Sequence, residues 1–313
     1  MSRYFRELSV AAALALVLVG LALFARAFYQ PQPLLTLITS QVAPTLVIAC
    51  GMTLVITCRQ IDISVGSSFA ICGVCGALLL SNGYPIALAL PASVLLGALF
   101  GAFNGALIAG LGLPSIVVTL ATMVTWREAL RWLREGVYVN IGTDNQWFGM
   151  TQRAGQWTII VVALVLMLGL AVAMKHLAAG RFVYAVGTDA EAARLAGIRP
   201  RLVTFLCFVL IGALTGLAAM MSAVQSPQVD PTAGVGLELR TIAAVVVGGV
   251  SISGGRGNLW GVLAGLLLLS SINPALTYLG VSAFWEKAIQ GTIILLAVDA
   301  DGLRSRRGTA NLR

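Results

Sequence analysis

The chain is 313 residues long, 58% hydrophobic and only 10% charged, with a formal net charge of +8. Soluble domains carry about 25% charged residues, so a soluble globular fold is excluded, and with it a basic domain able to hold a polynucleotide. Many apolar runs reach the roughly 20 residues that a helix needs to cross a bilayer, and the short alternating strands of an outer-membrane barrel are not seen. The pattern is that of an all-α, polytopic membrane bundle.

Taken in chain order, about ten transmembrane helices are predicted, at 8–27, 41–58, 63–80, 85–110, 114–133, 157–177, 202–224, 239–252, 258–275 and 284–299. No soluble domain fits between them, so residues 1–313 read as a single transmembrane domain. The first run follows Arg3 and Arg6 and ends near Ala25-Arg26-Ala27, which mimics a secretory cleavage site. It is longer than the usual 7–15 residues of a signal-peptide core, and is read as a retained span. Lys and Arg favour the cytoplasmic side. They concentrate at the N-terminus, at 175–201 (Lys175, Arg181, Arg194, Arg199, Arg201) and in the tail (Arg304, Arg306, Arg307, Arg313). An even number of spans places all three inside, with both termini cytoplasmic. Arg127, Arg131 and Arg134 then fall outside, on one helical face flanked by Trp126 and Trp132, as snorkelling interfacial cations would.

Glycines recur every four residues at Gly97, Gly101 and Gly105, at Gly212 and Gly216, and at Gly261 and Gly265. Small residues at this spacing let helix backbones approach closely in lipid. The five cysteines, Cys50, Cys58, Cys72, Cys75 and Cys207, lie in or beside apolar runs, where they pack as small apolar residues; Cys72 and Cys75 share a redox-motif spacing, but within a span it only puts them on one face. The single histidine, His176, has no companion ligands.

Three polar stretches interrupt the apolar runs. In 59–68, Arg59 and Asp62 are spaced to pair. This stretch is either a surface turn in which Asp62 caps the next helix or a break inside the bundle lining a pathway; the turn is the simpler reading. In 225–240, two prolines and several glycines predict a re-entry before a short span, with Glu238 and Arg240 at its mouth as loop-end polarity or a gate. In 248–258, the glycines resemble a phosphate loop but lack its terminal Lys-Ser/Thr, so they predict a tight hairpin and no ATP hydrolysis by this chain. A long loop at 134–156 mixes amides and aromatics, as a docking surface or as an interfacial turn; Asn145 and Trp147 are its candidate contacts. Arg59, Asp62, Ser64, Asn104, Glu238 and Arg240 are the candidate pathway or gate residues. No catalytic or metal-ligand cluster is found. Finally, 175–201 encodes a short soluble helix: Thr188 or Asp189 can cap it, and Gly197 with Pro200 stops it.

Several segments occur in a distinctive order: Gly51-Met52-Thr53-Leu54-Val55-Ile56, Ile61-Asp62-Ile63-Ser64-Val65-Gly66-Ser67, Phe103-Asn104-Gly105, Glu191-Ala192-Ala193-Arg194 with Gly197, Ile242-Ala243-Ala244-Val245-Val246 with Gly248-Gly249, and Gly254-Gly255-Arg256-Gly257. Over essentially its whole length the chain resembles the permease subunit of bacterial ABC importers for sugars, of the ribose, rhamnose and autoinducer-2 type. The resemblance implies a multi-pass protein of the bacterial inner membrane. Its 178–201 segment would dock on a separate ATPase subunit through Glu191, Ala192, Ala193 and Gly197. It would receive substrate from a periplasmic sugar-binding protein and pair with a second permease subunit, identical or related. ATP and Mg would be held by the ATPase; no cofactor is expected in this chain. Thr57-Cys58-Arg59-Gln60 departs from the Gly-rich approach of ribose-like members. The Trp126–Trp132 and Gln146–Gly149 segments with Phe284-Trp285 look closer to rhamnose and autoinducer-2 permeases. A rhamnose-like monosaccharide is the leading expectation, with autoinducer-2 or ribose and xylose as alternatives. A different class, an ion-coupled carrier or channel, would need a buried ionic site, for which Arg59 and Asp62 are the best candidates.

Overall fold

A computed structural model describes residues 29–278 and scattered positions on either side. The predicted spans 8–27 and 284–299 and the terminal arginine clusters lie largely or wholly outside the described residues. The helices are α1 (Pro31–Leu37), α2 (Ala43–Thr57), α3 (Val65–Ser81), α4 (Ile86–Gly105), α5 (Ser115–Arg134), α6 (Gln152–His176), α7 (Ala178–Thr188), α8 (Ala190–Leu195), α9 (Pro200–Ala223), α10 (Leu237–Val247) and α11 (Leu259–Tyr278). Wider π-type turns join α1 to α2 (Ile38–Val42) and prolong α4 (Ala106–Gly110). Two short strands, β1 (Val139–Asn140) and β2 (Gln228–Val229), pair antiparallel with Val139 opposite Val229.

Among the described residues, five helical stretches are long and apolar enough to cross a membrane: Pro31–Thr57, Ile86–Gly110, Gln152–His176, Pro200–Ala223 and Leu259–Thr277. The predicted total of about ten is not established. The others lie where spans were predicted but differ in kind: α3 has 17 residues, α10 has 11, and α5 carries Arg127, Glu128, Arg131 and Arg134 in its second half. The outward face of α6 is apolar at Val161, Val165, Leu168 and Val172, a stripe at helical spacing suited to lipid.

At the centre stands α2, buried at every residue. Around it the tightest contact is between antiparallel α4 and α9, and the glycine spacing explains it. A Cβ on Gly97 would strike the Gly212 carbonyl, one on Gly212 the Gly97 carbonyl, one on Gly216 the Ser93 carbonyl, and one on Gly101 the Phe208 carbonyl. The helices therefore meet backbone to backbone. The same device joins α10 to α11, where a Cβ on Gly265 would stand 2.5 Å from the Ala244 carbonyl oxygen. Ser93, buried at this seam, donates to the Cys72 carbonyl (2.9 Å), tying α3 to it.

Candidate functional site

Between α2 and α3 the chain unwinds for seven residues, Cys58 to Ser64. Asp62 and Ser64 are 3% and 1% exposed, so this is a break inside the bundle and the surface-turn reading is corrected. Its depth follows from α4: Ser64 meets Asn104, which lies between Gly101 on Phe208 and Gly105 on Phe205. That level is about 8–12 Å above the start of α9, at 1.5 Å per residue. Asp62 does not cap α3, whose N-cap Ser64 has no side-chain cap hydrogen bond; it closes a turn onto that residue instead. The Asp62 carboxylate accepts from the Ser64 amide (2.9 Å) and hydroxyl (2.6 Å), and Asn104 Nδ2 donates to Ser64 Oγ (2.8 Å). The freed backbone is satisfied by α5: the Ile61 amide donates to Ser115 Oγ (3.2 Å), and Thr119 Oγ1 donates to the Ile61 carbonyl (3.4 Å). Irregular backbone at this depth is tolerated only when so partnered or when it lines a cavity.

A second interruption meets the first. After α9 the chain turns back, pairs through β2 and descends through Asp230–Gly236 to the start of α10. Eleven residues of α10 rise only about 16 Å, half of a roughly 30 Å hydrocarbon core. Gly234 adopts a left-handed φ of 78°, and a Cβ there would stand 2.5 Å from the Gly66 carbonyl oxygen, so the two broken elements touch through glycines. Arg127 of α5 reaches in, donating Nη1 to the Ala233 carbonyl (3.0 Å) and Nη2 to the Gly234 carbonyl (3.3 Å). Glu238 comes from the other side: Oε1 accepts from the Gly236 amide (3.2 Å), while Oε2 abuts Gly66. Carboxylate and guanidinium thus face one another across Gly66. Glu238 Oε2 and Asn104 Oδ1 are buried and accept no hydrogen bond among the described residues. Arg240 points elsewhere, donating to Gln41 Oε1 (2.7 Å) and Ser270 Oγ (3.3 Å) and so anchoring α10 to its neighbours. Toward the β1–β2 end, a cavity of ≈330 Å³ opens between α5 and the re-entrant segment, lined by Arg131, Glu135, Gly136, Pro231 and Thr232.

At the opposite end, Arg59 does not pair with Asp62. It takes a left-handed φ of 61° and turns outward, donating Nε to the Ser253 carbonyl (2.6 Å) and Nη2 to the Thr188 carbonyl (2.7 Å). The Gly255 amide donates to the Thr57 carbonyl (2.9 Å), and the Tyr184 hydroxyl donates to the Gly257 carbonyl (2.8 Å). Burial pushes the Tyr184 phenol above its ordinary value. The 248–258 hairpin is thus a packed joint, not a phosphate cradle.

Residues 34–298 match the family described as "Branched-chain amino acid transport system / permease component". The Ribose import permease protein RbsC of Escherichia coli (strain K12) is 35% identical over 269 residues, 84% of each chain. The Autoinducer 2 import system permease protein LsrC of Escherichia coli (strain K12 / DH10B) is 34% identical over 304 residues, 95% of this chain and 87% of that one; LsrC of Shigella flexneri matches to the same extent. No solved structure matches the chain significantly. The chain belongs to this permease-component family.

In this permease the 175–201 segment forms two helices rather than one. Helix α7 lies against the bundle with Val183 and Val186 buried. Helix α8 projects, capped by Asp189, whose carboxylate accepts from the Glu191 (2.9 Å) and Ala192 (3.0 Å) amides. Gly197, with φ 84°, ends it as expected. Glu191, Ala192 and Gly197 are exposed, whereas Ala193 is buried (4%) and anchors α8; Leu195, which sequence reading passed over, is 81% exposed. In the 134–156 loop, Asn145 and Trp147 are half-buried: Asn145 donates to the Ile141 carbonyl (2.8 Å), and the Trp147 amide donates to the Val224 carbonyl (2.7 Å). They shape the loop rather than project from it. Arg127 is the principal site residue missed from the sequence; its one signal was a cation seven residues before the end of α5.

Proposed function

We propose that this permease is the membrane subunit of a bacterial inner-membrane ABC importer for a monosaccharide or a similar small polyol, with residues 1–313 acting as one permease domain. The observation that carries the pathway is the meeting of the 58–64 break and the re-entrant segment at a partly buried polar cluster. Around Ser64 and Gly66, Asp62, Ser64 and Asn104 are buried, and Arg127 and Glu238 stand half-buried beside them. Such residues are expensive at membrane depth and mark substrate routes. The orphan acceptors Glu238 Oε2 and Asn104 Oδ1 suit sugar hydroxyls. The relatives' names, ribose and autoinducer-2 import, favour those two substrates; the rhamnose-like reading rests only on its aromatic segments.

Energy comes from a separate ATPase subunit, which holds ATP and Mg, so the permease itself is not an enzyme. Placing α8 in the cytoplasm with both termini follows the Lys and Arg distribution. The ATPase docks on α8 through Glu191, Ala192 and Leu195, with Ala193 and Gly197 fixing the shape. A periplasmic binding protein delivers substrate at the β1–β2 end, where Trp132 and Tyr138 project while Asn145 and Trp147 support the loop. A second permease subunit, identical or related, completes the pathway.

Leu195→Asp with Glu191→Lys is expected to weaken ATPase copurification while leaving insertion unchanged. Loss of an interface anchor costs about 2 kcal/mol, roughly 30-fold in affinity. Undiminished copurification would remove the docking assignment. The second reading, an ion-coupled carrier, draws on the burial of Asp62 (3% exposed). Uptake of ribose by the purified chain alone, driven by an ion gradient and lost in Asp62→Asn, would favour it over the first.

A further inference from the structure

The joint around Arg59 links the docking helices to both walls of the polar cluster, and we infer that Arg59 is a positioning residue that carries ATPase movement into the pathway. This rests on the ATPase-docking reading of α8.

Three backbone segments meet at the joint. A Cβ on Gly187 would strike the Thr57 carbonyl, and one on Gly254 would strike the Arg59 side chain, so the segments leave no slack between them. The Arg59 side chain spans all three. It starts from the end of α2, grips the last carbonyl of α7 and grips the hairpin that follows α10. A cation at a helix C-terminus is favoured by the helix dipole, and the planar fork holds two carbonyls in fixed relative positions, as an ammonium cannot.

Two of the three segments lead to the cluster, and the third leads to α8. From Arg59 the chain runs directly to Asp62 and Ser64. From Ser253 it runs back along α10 to Glu238, whose carboxylate abuts Gly66. Thr188 is followed by the cap residue of α8, Asp189. The Arg59 guanidinium therefore offers displacement of α8 a direct route to both broken elements. The alternative, a local role in holding the hairpin shut, predicts no effect at the distant re-entrant segment.

The test uses the full complex with the ATPase and binding protein in proteoliposomes. Thr232→Cys places a thiol on the exposed rim of the ≈330 Å³ cavity, where a membrane-impermeant maleimide reads the re-entrant segment without knowledge of the substrate. Labelling rates are compared with and without a non-hydrolysable ATP analogue. In the Arg59 parent the analogue is expected to change the rate within the roughly 5–150-fold range of coupled sites. In Arg59→Ala the change should fall to about onefold while the ATPase still copurifies, and Arg59→Lys should retain only part of it. An undiminished change in Arg59→Ala, or no change in the parent complex, overturns the inference. So does loss of ATPase copurification in both variants, which would make Arg59 a docking residue. If no ATPase associates with the parent chain at all, the function proposed above fails instead.

Discussion

Valine at Gly212 is expected to abolish the folded permease, the largest stability effect of any single change considered. The residue sits at the crossing of α4 and α9, where its Cβ would overlap the Gly97 carbonyl and lie 2.9 Å from the Gly101 amide nitrogen. Both obstacles are backbone, so no rotamer change relieves them. Overpacking usually costs about 1–3 kcal/mol, and a rigid obstacle puts this case at or beyond the upper end. In lipid there is little hydrophobic drive to hold separated helices together, so a small displacement sacrifices the whole contact. The reciprocal Gly97→Val should behave alike. Gly169→Val is the control, because nothing lies within 4 Å of a Cβ at that position on α6. The measurement is the fraction of detergent-solubilised protein remaining monodisperse after heating. Equal survival of Gly212→Val and Gly169→Val would refute the backbone-contact account.

Arg127→Gln is expected to reduce uptake by roughly a hundredfold, with the protein still inserted. The guanidinium holds the carbonyls of Ala233 and Gly234 and faces Glu238 across Gly66. A hydrogen bond from a charged group is worth about 1.5–3 kcal/mol, and this half-buried guanidinium makes two; at 1.36 kcal/mol per tenfold, about 3 kcal/mol is roughly a hundredfold. Glu238→Gln should be similarly damaging. The double variant separates two explanations. If the charges only stabilise each other, Arg127→Gln with Glu238→Gln restores both stability and uptake. If they line the sugar path, stability recovers and uptake does not. Arg153→Gln, at an exposed position near the start of α6, should leave uptake within about twofold. Uptake of radiolabelled ribose or autoinducer-2 by cells carrying the ATPase and binding protein supplies the readout.

What the sequence made legible follows the range of the forces involved. Span positions depend on local apolar length, and α2 to α6 and α9 to α11 fall close to the predicted intervals. The Asp189 cap and the Gly197 stop were readable because each acts within a few residues. The 59–68 break was ambiguous for a physical reason: a surface turn and a buried break need the same polar residues, and only tertiary packing shows that Asp62 is enclosed. Arg127 was hidden because a cation late in a span is compatible with snorkelling; its carbonyl partners lie 106 and 107 residues away. Arg59 was misassigned on the same grounds, since i,i+3 proximity to Asp62 was visible and its bonds to Thr188 and Ser253, 129 and 194 residues distant, were not. The two-residue strands have no periodicity to detect, and the left-handed Trp147 and Phe148 have none of the residue types that announce such a conformation.

The pairing of Val139 with Val229 bears on how freely this permease can vary. Surface loops ordinarily accept insertions and deletions, and the stretch between α5 and α6 would seem to be one. Here it is stitched to the re-entrant segment by β1–β2, by the Ile141 amide on the Pro227 carbonyl (2.9 Å) and by the Trp147 amide on the Val224 carbonyl (2.7 Å). Val139 and Val229 are both buried, and slipping a strand by one residue turns its buried side chains to the opposite face. A length change between α5 and β1 would therefore either break the pairing or shift the descending chain that carries Ala233 and Gly234. The outermost loop and the innermost carbonyls share one register, so divergence at the surface is restricted by geometry deep in the bundle.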